Sequence, residues 1–159
     1  MTLRKQLLSG EECSFHTVIT ADYGDRLYTF EMDCTMDANG LLSFTVTQPD
    51  TICGITGTIS DNGAALTFDN NILAFPMLAD GQVTPVSGPW IVANTLKCGY
   101  LTGCSREDQA LVLYIDDSYE EYPLHLQIRV DEANHPVYAE IIWQEHRVLA
   151  LEIQNFTIQ

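Results

Sequence analysis

The stretch that decides the fold spans residues 28–36 and reads Tyr28-Thr29-Phe30-Glu31-Met32-Asp33-Cys34-Thr35-Met36. Apolar and polar side chains alternate along most of it, which is the pattern of a strand with one buried and one solvated face. Turn-forming residues flank the stretch, with Asp22-Tyr23-Gly24-Asp25 before it and Asp37-Ala38-Asn39-Gly40 after it. The sequence therefore predicts a strand between two hairpin turns.

The same alternation recurs along most of the chain. It predicts further strands over residues 15–20, 42–46, 55–59, 65–68, 111–115, 124–130, 137–143 and 149–153. Eight or nine strands joined by short turns predict an antiparallel meander in a mainly β (α+β) fold, with one solvated face and one covered face. Because no linker, repeat or low-complexity tract interrupts the pattern, we expect a single domain over residues 1–159.

Two segments break the alternation and are predicted to be helices. Residues 3–12 fit a short amphipathic helix, and residues 85–99 fit a second one. In the second helix Ser87 is a candidate N-cap, Pro89 falls in the first turn and Gly99 is a candidate stop. Such helices need an apolar surface to cover, and we expect it to be the concave face of the sheet.

The charge of the chain restricts its partners. Seven Lys and Arg residues stand against 22 Asp and Glu residues, which gives a formal net charge of -15. Nucleic-acid binding depends on Lys and Arg that neutralise phosphates, and an anionic membrane surface also attracts basic segments. We therefore expect neither nucleic acid nor direct contact with an anionic membrane surface.

The five cysteines show no metal-binding or redox spacing. Free cysteines are usually small buried apolar residues, and we adopt that interpretation for the set as a whole. Cys98 and Cys104 allow an alternative, because residues 99–103 between them have a turn-like composition. If a disulfide forms, we expect it to join these two.

Catalytic and metal-binding motifs are missing from the sequence. The four histidines, at positions 16, 125, 135 and 146, lack ligand spacing, and the acidic run over residues 116–121 is typical of a solvated loop. No nucleophile elbow, phosphate-binding glycine loop or zinc-protease motif is present. We therefore expect no enzymatic activity, no cofactor and no metal site.

What remains is a wide apolar sheet face beside the mid-chain helix, and two interpretations stay open. Helix and sheet either form a sealed core, in a structural or protein-interaction domain, or enclose a cavity for an acyl chain or similar apolar ligand. Methionine side chains would suit a ligand of irregular shape, and the acidic exterior favours a neutral or cationic one. The predicted ligand-binding residues are Phe30, Met32, Met36, Phe44, Trp90, Val92 and Leu96.

Four segments, taken in order, resemble a known family. They are residues 13–17 after the first helix, the strand end Thr45-Val46-Thr47-Gln48-Pro49-Asp50, the helix after Thr84-Pro85, and the return from Val130-Asp131 into Tyr138-Ala139-Glu140. Together they resemble the Lol-type (LolA- and LolB-like) lipoprotein carriers and receptors of bacterial envelopes. The chain is also similar to uncharacterised lipoproteins of Gram-positive bacteria.

The resemblance implies an incomplete half-barrel whose concave apolar side is lidded by one or two helices. It also implies a lipid-binding, monomeric protein outside the cytoplasm, anchored by a lipid through a leader that this sequence lacks. Since residues 1–10 have no apolar segment, a cytoplasmic location is the alternative. The carriers place an arginine before their third strand that helps to hold the lid shut, and here that stretch is Asp37-Ala38-Asn39-Gly40.

Overall fold

The structure is a computed structural model and describes residues 2–10, 12–61, 63–67 and 78–159. Within these residues the chain forms ten β-strands, two α-helices and one 3-10 turn. The elements are α1 (Thr2–Ser9), β1 (Glu12–Asp22), β2 (Leu27–Asp37), β3 (Leu42–Gln48), β4 (Thr56–Ser60), β5 (Gly63–Thr67), the 3-10 turn Pro85–Ser87, α2 (Gly88–Cys98), β6 (Tyr100–Glu107), β7 (Ala110–Asp116), β8 (His125–Val130), β9 (Pro136–Trp143) and β10 (His146–Ile158). Glu11 of the predicted first helix and Phe68 of a predicted strand lie outside the described residues.

All ten strands join in one antiparallel sheet in the order β5-β4-β3-β2-β1-β10-β9-β8-β7-β6. Two meanders, β1 to β5 and β6 to β10, therefore run outward in opposite directions from a central pair formed by the first and last strands. Bulges interrupt the register at several points, among them Ser14/His16 in the central pair and Arg147/Leu149 in the β9–β10 pair. Such bulges bend strands, and they help to curve this open sheet into the predicted half-barrel.

The topology explains why a helix covers the sheet. Because β5 and β6 are at opposite edges, the chain between them must pass from one side of the sheet to the other. α2 belongs to that connection and carries apolar side chains onto the inner face, where Val92, Ala93 and Leu96 are buried. Gly88 lies so close to β10 that a Cβ there would be 3.1 Å from Leu149 Cδ1.

The alternation that predicted the strands also predicts which side chains are buried. In β2 the buried residues are Phe30, Met32, Cys34 and Met36, and the same period of two continues in β1 and β3. Leu3 and Leu7 of α1 join the same hydrophobic cluster as the inner face of the sheet and α2. The mainly β, helix-lidded half-barrel predicted from the sequence is confirmed.

One strand was not predicted, and it changes the interpretation of two cysteines. Residues 100–107 form β6, so residues 99–103 are the start of an extended strand and not a turn that brings Cys98 and Cys104 together. A strand rises about 3.3 Å per residue, which places Cys104 roughly 13 Å along the strand from Tyr100. Both thiols are free, as are those of Cys13, Cys34 and Cys53.

The start and end of α2 also differ in detail from the prediction. Ser87 belongs to the 3-10 turn that runs into α2, and its hydroxyl donates a hydrogen bond to the Thr84 carbonyl at 2.6 Å instead of capping the helix. Gly99 does end the helix, although its backbone is extended and not left-handed. The residue must be small because a Cβ at Gly99 would be 2.6 Å from Thr95 Cγ2 and 2.7 Å from Ile115 Cγ2.

Replacing Gly99 with alanine tests this close approach of α2 to β7. We expect Gly99→Ala to lower the free energy of unfolding by about 2 kcal/mol, because the methyl group overpacks the contact. Gly103→Ala is the matched control, since a Cβ there would be no nearer than 3.7 Å to another residue, on the Tyr114 ring. Urea denaturation that gave equal losses for the two variants would contradict this packing.

The outer face of the sheet carries a histidine between two carboxylates. His16 of β1 is 2.7 Å from Asp33 through Nδ1 and 3.1 Å from Glu31 through Nε2, both on β2. The pKa of His16 is raised, mainly because of the hydrogen bond to Asp33. Partial burial lowers the same pKa, and the hydrogen bond to Glu31 raises it further. The protonated ring therefore joins β1 and β2 on this face.

The sign of the pH dependence follows from that raised pKa. The protonated His16 stabilises the folded state fully below about pH 6.5, the ordinary pKa of histidine. This stabilisation is lost as the pH rises through the higher pKa that His16 has in the folded protein. We expect His16→Gln to cost about 0.5–1 kcal/mol at pH 5.5 and clearly less at pH 8.5, measured by urea denaturation. His146→Gln, on an exposed hairpin, is the control, and a cost for His16→Gln that does not change with pH would contradict the ion pairing.

Candidate functional site

The structure brings the seven predicted ligand-binding residues together, but in a filled core. Six of them, all except Trp90, are at most 3% exposed, and Trp90 is partly buried against the same cluster. Met36 borders a cavity of about 10 Å³, which is room for about one water molecule. A ligand would reach these side chains only after α2 or the strands had moved, so their ligand-binding role stays a prediction.

Polar contacts anchor α2 at both ends. Near its start the Trp90 indole Nε1 donates a hydrogen bond to the Gly40 carbonyl at 3.0 Å. Near its end Arg4 of α1 donates to the carbonyls of Leu96 and Gly99, each at 2.8 Å. The last carbonyls of a helix lack partners within the helix, and a cation beside them also complements the helix dipole. The Gly40 turn before β3 therefore accepts a hydrogen bond from the helix itself.

A groove of about 650 Å³ lies at one end of the half-barrel, and we call it the end groove. Its walls are residues 22–24 of the β1–β2 turn, residues 78–80, and Glu140, Trp143 and residues 146–148 of the β9–β10 hairpin. Leu78, Ala79, Trp143 and Val148 also belong to the hydrophobic core, so the groove reaches the apolar interior. Its volume is within the range of small-molecule sites.

Trp143 lines the end groove, and its indole N–H is buried without a hydrogen-bond partner in the described part of the chain. The side chain is 7% exposed, and its buried Nε1 meets no acceptor among the described residues. Tyr122 from the loop after β7 packs near the indole, with ring centroids 6.3 Å apart. An unpaired buried donor costs about 1–3 kcal/mol, so this indole is a costly feature of the groove wall.

The charged groups of the end groove leave it acidic. Arg147 Nη1 is 3.1 Å from Glu140 Oε1, and this hydrogen bond is the main reason that the pKa of Arg147 is raised. The hydroxyl of Tyr138 donates to the same carboxylate at 2.9 Å. Because Glu140 balances Arg147, the acidic side chains of Asp22 and Asp80 dominate the remaining charge.

The end groove could not be predicted from the sequence because its walls are strand ends and turns that are far apart in the chain. Trp143 was recognised only as the end of an alternating strand. The available signal was an aromatic N–H donor just before a polar turn, where one side of the ring is buried and the other approaches solvent. Two buried hydroxyls without a partner among the described residues, those of Thr17 on β1 and Thr47 on β3, likewise gave no signal in the alternation.

The described residues offer neither a metal-binding cluster nor a membrane-spanning helix. No three His, Cys, Asp or Glu side chains there are grouped so that they could hold a metal ion. No helix in that part of the chain is both long and apolar enough to cross a bilayer.

Comparison with solved structures identifies the fold. The match to a LolA superfamily protein from Nitrosomonas europaea covers 99% of this chain and 92% of that protein, with a TM-score of 0.50 and 7% sequence identity. The match to an uncharacterized conserved protein from Thermus thermophilus covers 99% of this chain and 86% of that protein, with a TM-score of 0.52 and 8% sequence identity. No family model matches the sequence, and no curated protein matches it. The chain therefore has a LolA-like fold, and the likeness to Gram-positive lipoproteins stays a prediction.

Removal of the Arg4 guanidinium tests how α2 is held. Arg4→Met keeps most of the apolar stem but deprives the α2 carbonyls of their donors, and we expect the free energy of unfolding to fall by about 2 kcal/mol. Lys5→Met on the exposed side of α1 is the control, with an expected change within about 0.5 kcal/mol. Thermal or urea denaturation showing the same small change for both variants would mean that Arg4 does not secure the helix.

Proposed function

We propose that the protein is a non-catalytic binding module that holds the chain of an apolar ligand in the end groove. The observation that carries the proposal is the Trp143 side chain, which lines a groove that reaches the core and whose buried indole N–H has no partner among the described residues. A ligand with a carbonyl or ether oxygen next to an apolar chain supplies the acceptor that the described residues lack, once a small rotation of the indole turns its buried N–H toward the groove. The chain of the same ligand lies against Leu78 and Val148.

The charge of the groove supports a neutral or cationic ligand. The chain carries a formal net charge of -15, and Asp22 and Asp80 are in the groove wall itself. Arg147 is paired with Glu140 and adds little attraction for an anion. An acylglycerol or another uncharged lipid-like ester fits these conditions better than a phosphate-bearing lipid.

The LolA-like fold and the sequence resemblance to Lol-type carriers support the apolar class of ligand and a place in the cell envelope. We propose that the protein works there as a monomer, outside the cytoplasm and with a lipid anchor. The predicted residues between α2 and the sheet, such as Leu96 on α2 and Met32 on β2, then form a packed layer that a longer chain reaches when α2 shifts.

A second candidate function is a structural or protein-interaction domain with no small ligand. The observation that favours it is the near-complete burial of six of the seven predicted ligand-binding residues. In that case the end groove is a surface depression and the unpaired Trp143 donor is an uncompensated cost of folding.

The two tryptophans of the chain allow a test by fluorescence quenching. Trp90→Phe leaves Trp143 as the reporter of the end groove, and Trp143→Phe leaves Trp90 as the reporter of α2. We expect a brominated lauroyl glycerol, below its micelle concentration, to quench Trp143 saturably and Trp90 little, since bromine quenches on contact. Quenching of Trp90 alone would place the ligand beneath α2, and quenching of neither would favour the sealed domain.

The same pair of variants tests the hydrogen bond to the ligand. We expect Trp143→Phe to weaken binding of the unbrominated lauroyl glycerol about fivefold, because one net hydrogen bond of about 1 kcal/mol is lost. Trp90→Phe is the matched control and should change the affinity less than about twofold. Calorimetric titrations that gave equal affinities for both variants would contradict the assigned role of Trp143.

A further inference from the structure

The edge strand β6 exposes most of its side chains to solvent. β6 ends the strand order and pairs with β7, and in the described part of the chain no strand lies on its other side. Six of its eight residues are exposed, and the other two are partly buried. An edge strand presents unpaired N–H and C=O groups that form a template for another strand.

The strand lacks most features that prevent such pairing. It contains no proline and no lysine, and its one basic residue is Arg106. A bulge at Leu101/Gly103 disturbs its start, but from Gly103 to Glu107 it pairs in regular register with β7. Five regular residues are enough to order a short extended peptide by strand addition.

An exposed aromatic platform adjoins the start of β6. Tyr100 and Tyr119 have ring centroids 3.5 Å apart, and Tyr119 is 82% exposed. Leu101, the next residue of β6, is 50% exposed. Exposed tyrosine faces bind apolar side chains, and they also attract Lys and Arg through cation–π contacts.

The charges around β6 select the kind of partner. Asp117, Glu120 and Glu121 are exposed in the loop that carries Tyr119, and Glu107 ends the strand. Arg129 pairs with Glu107 at 3.4 Å, which leaves the acidic loop unbalanced. A second copy of this chain would bring two such loops and two net charges of -15 together, so charge disfavours it as the occupant.

We propose that β6 and the Tyr100–Tyr119 platform form a docking surface for an extended, basic segment of a partner protein. The segment adds as an eleventh strand beside β6, with Lys or Arg side chains over the tyrosines and the acidic loop. This surface includes none of the residues that line the end groove, although its loop also carries Tyr122, which packs near Trp143.

The proposal is tested with an acetylated eight-residue peptide that alternates Lys with Val. We expect it to bind in calorimetry and to slow hydrogen exchange of β6 amides between Gly103 and Glu107 by about tenfold or more. A peptide with the same side chains and alternate backbone nitrogens methylated keeps the charge but cannot pair as a strand, and it should bind at least about tenfold more weakly. Equal binding of both peptides, or no added protection in β6, would overturn the proposal.

Variants of the protein test the choice of partner. Reversing two exposed charges with Glu120→Lys and Glu121→Lys should weaken the Lys–Val peptide about tenfold, since each reversal removes a modest surface attraction. Glu132→Lys, in the β8–β9 turn, should change binding less than about twofold. If Glu132→Lys weakened peptide binding as much as the two loop substitutions do, the proposal would be overturned. It would also be overturned if sedimentation showed a dimer of the protein without peptide and hydrogen exchange located the contact at β6.

Discussion

The pairing of β1 with β10 is the constraint on which the rest of the structure depends. The two meanders meet only through this central pair, so the curvature and inner face of the half-barrel exist only when the ends of the chain are joined. The pair runs from Cys13 to Ala21 on β1, and Ile19 and Leu151, which face each other across it, are fully buried. Because these strands are far apart in sequence, they can pair only when the chain between them has been brought into a compact arrangement.

The covering of the inner face follows from the same topology. The chain must cross from β5 to β6, and it does so with a helix that the apolar face can bury. Trp90 and Arg4 then fix that helix by polar bonds at each end, while Gly88 and Gly99 allow it to approach β10 and β7 closely. A face covered in this way is well packed, and the end groove lies at the end of the half-barrel, where strand ends and turns form the walls.

The sequence predicted the parts of the fold that depend on local pattern. Nine strands carry the alternation, and the mid-chain helix carries a proline start and a glycine stop. β6 was missed because Thr102, Gly103 and Ser105 are small or polar, so no apolar period of two marks the strand. The end groove was missed for a different reason, since Tyr23, Asp80 and Trp143 come together only through the sheet. The sequence did gather the residues around α2, from Phe30 to Leu96, but a pattern of burial does not distinguish a packed core from a cavity.

The central claim is that the LolA-like half-barrel keeps its inner face packed and takes an apolar chain at the end groove. Crystals grown with the brominated lauroyl glycerol test it most directly, because anomalous scattering locates the bromine atoms. We predict bromine peaks in the end groove beside Trp143, with the hydrogen bond from Trp90 of α2 to the Gly40 carbonyl unchanged. Peaks between α2 and Met32, or no ordered bromine at a ligand concentration that saturates the protein in solution, would contradict it.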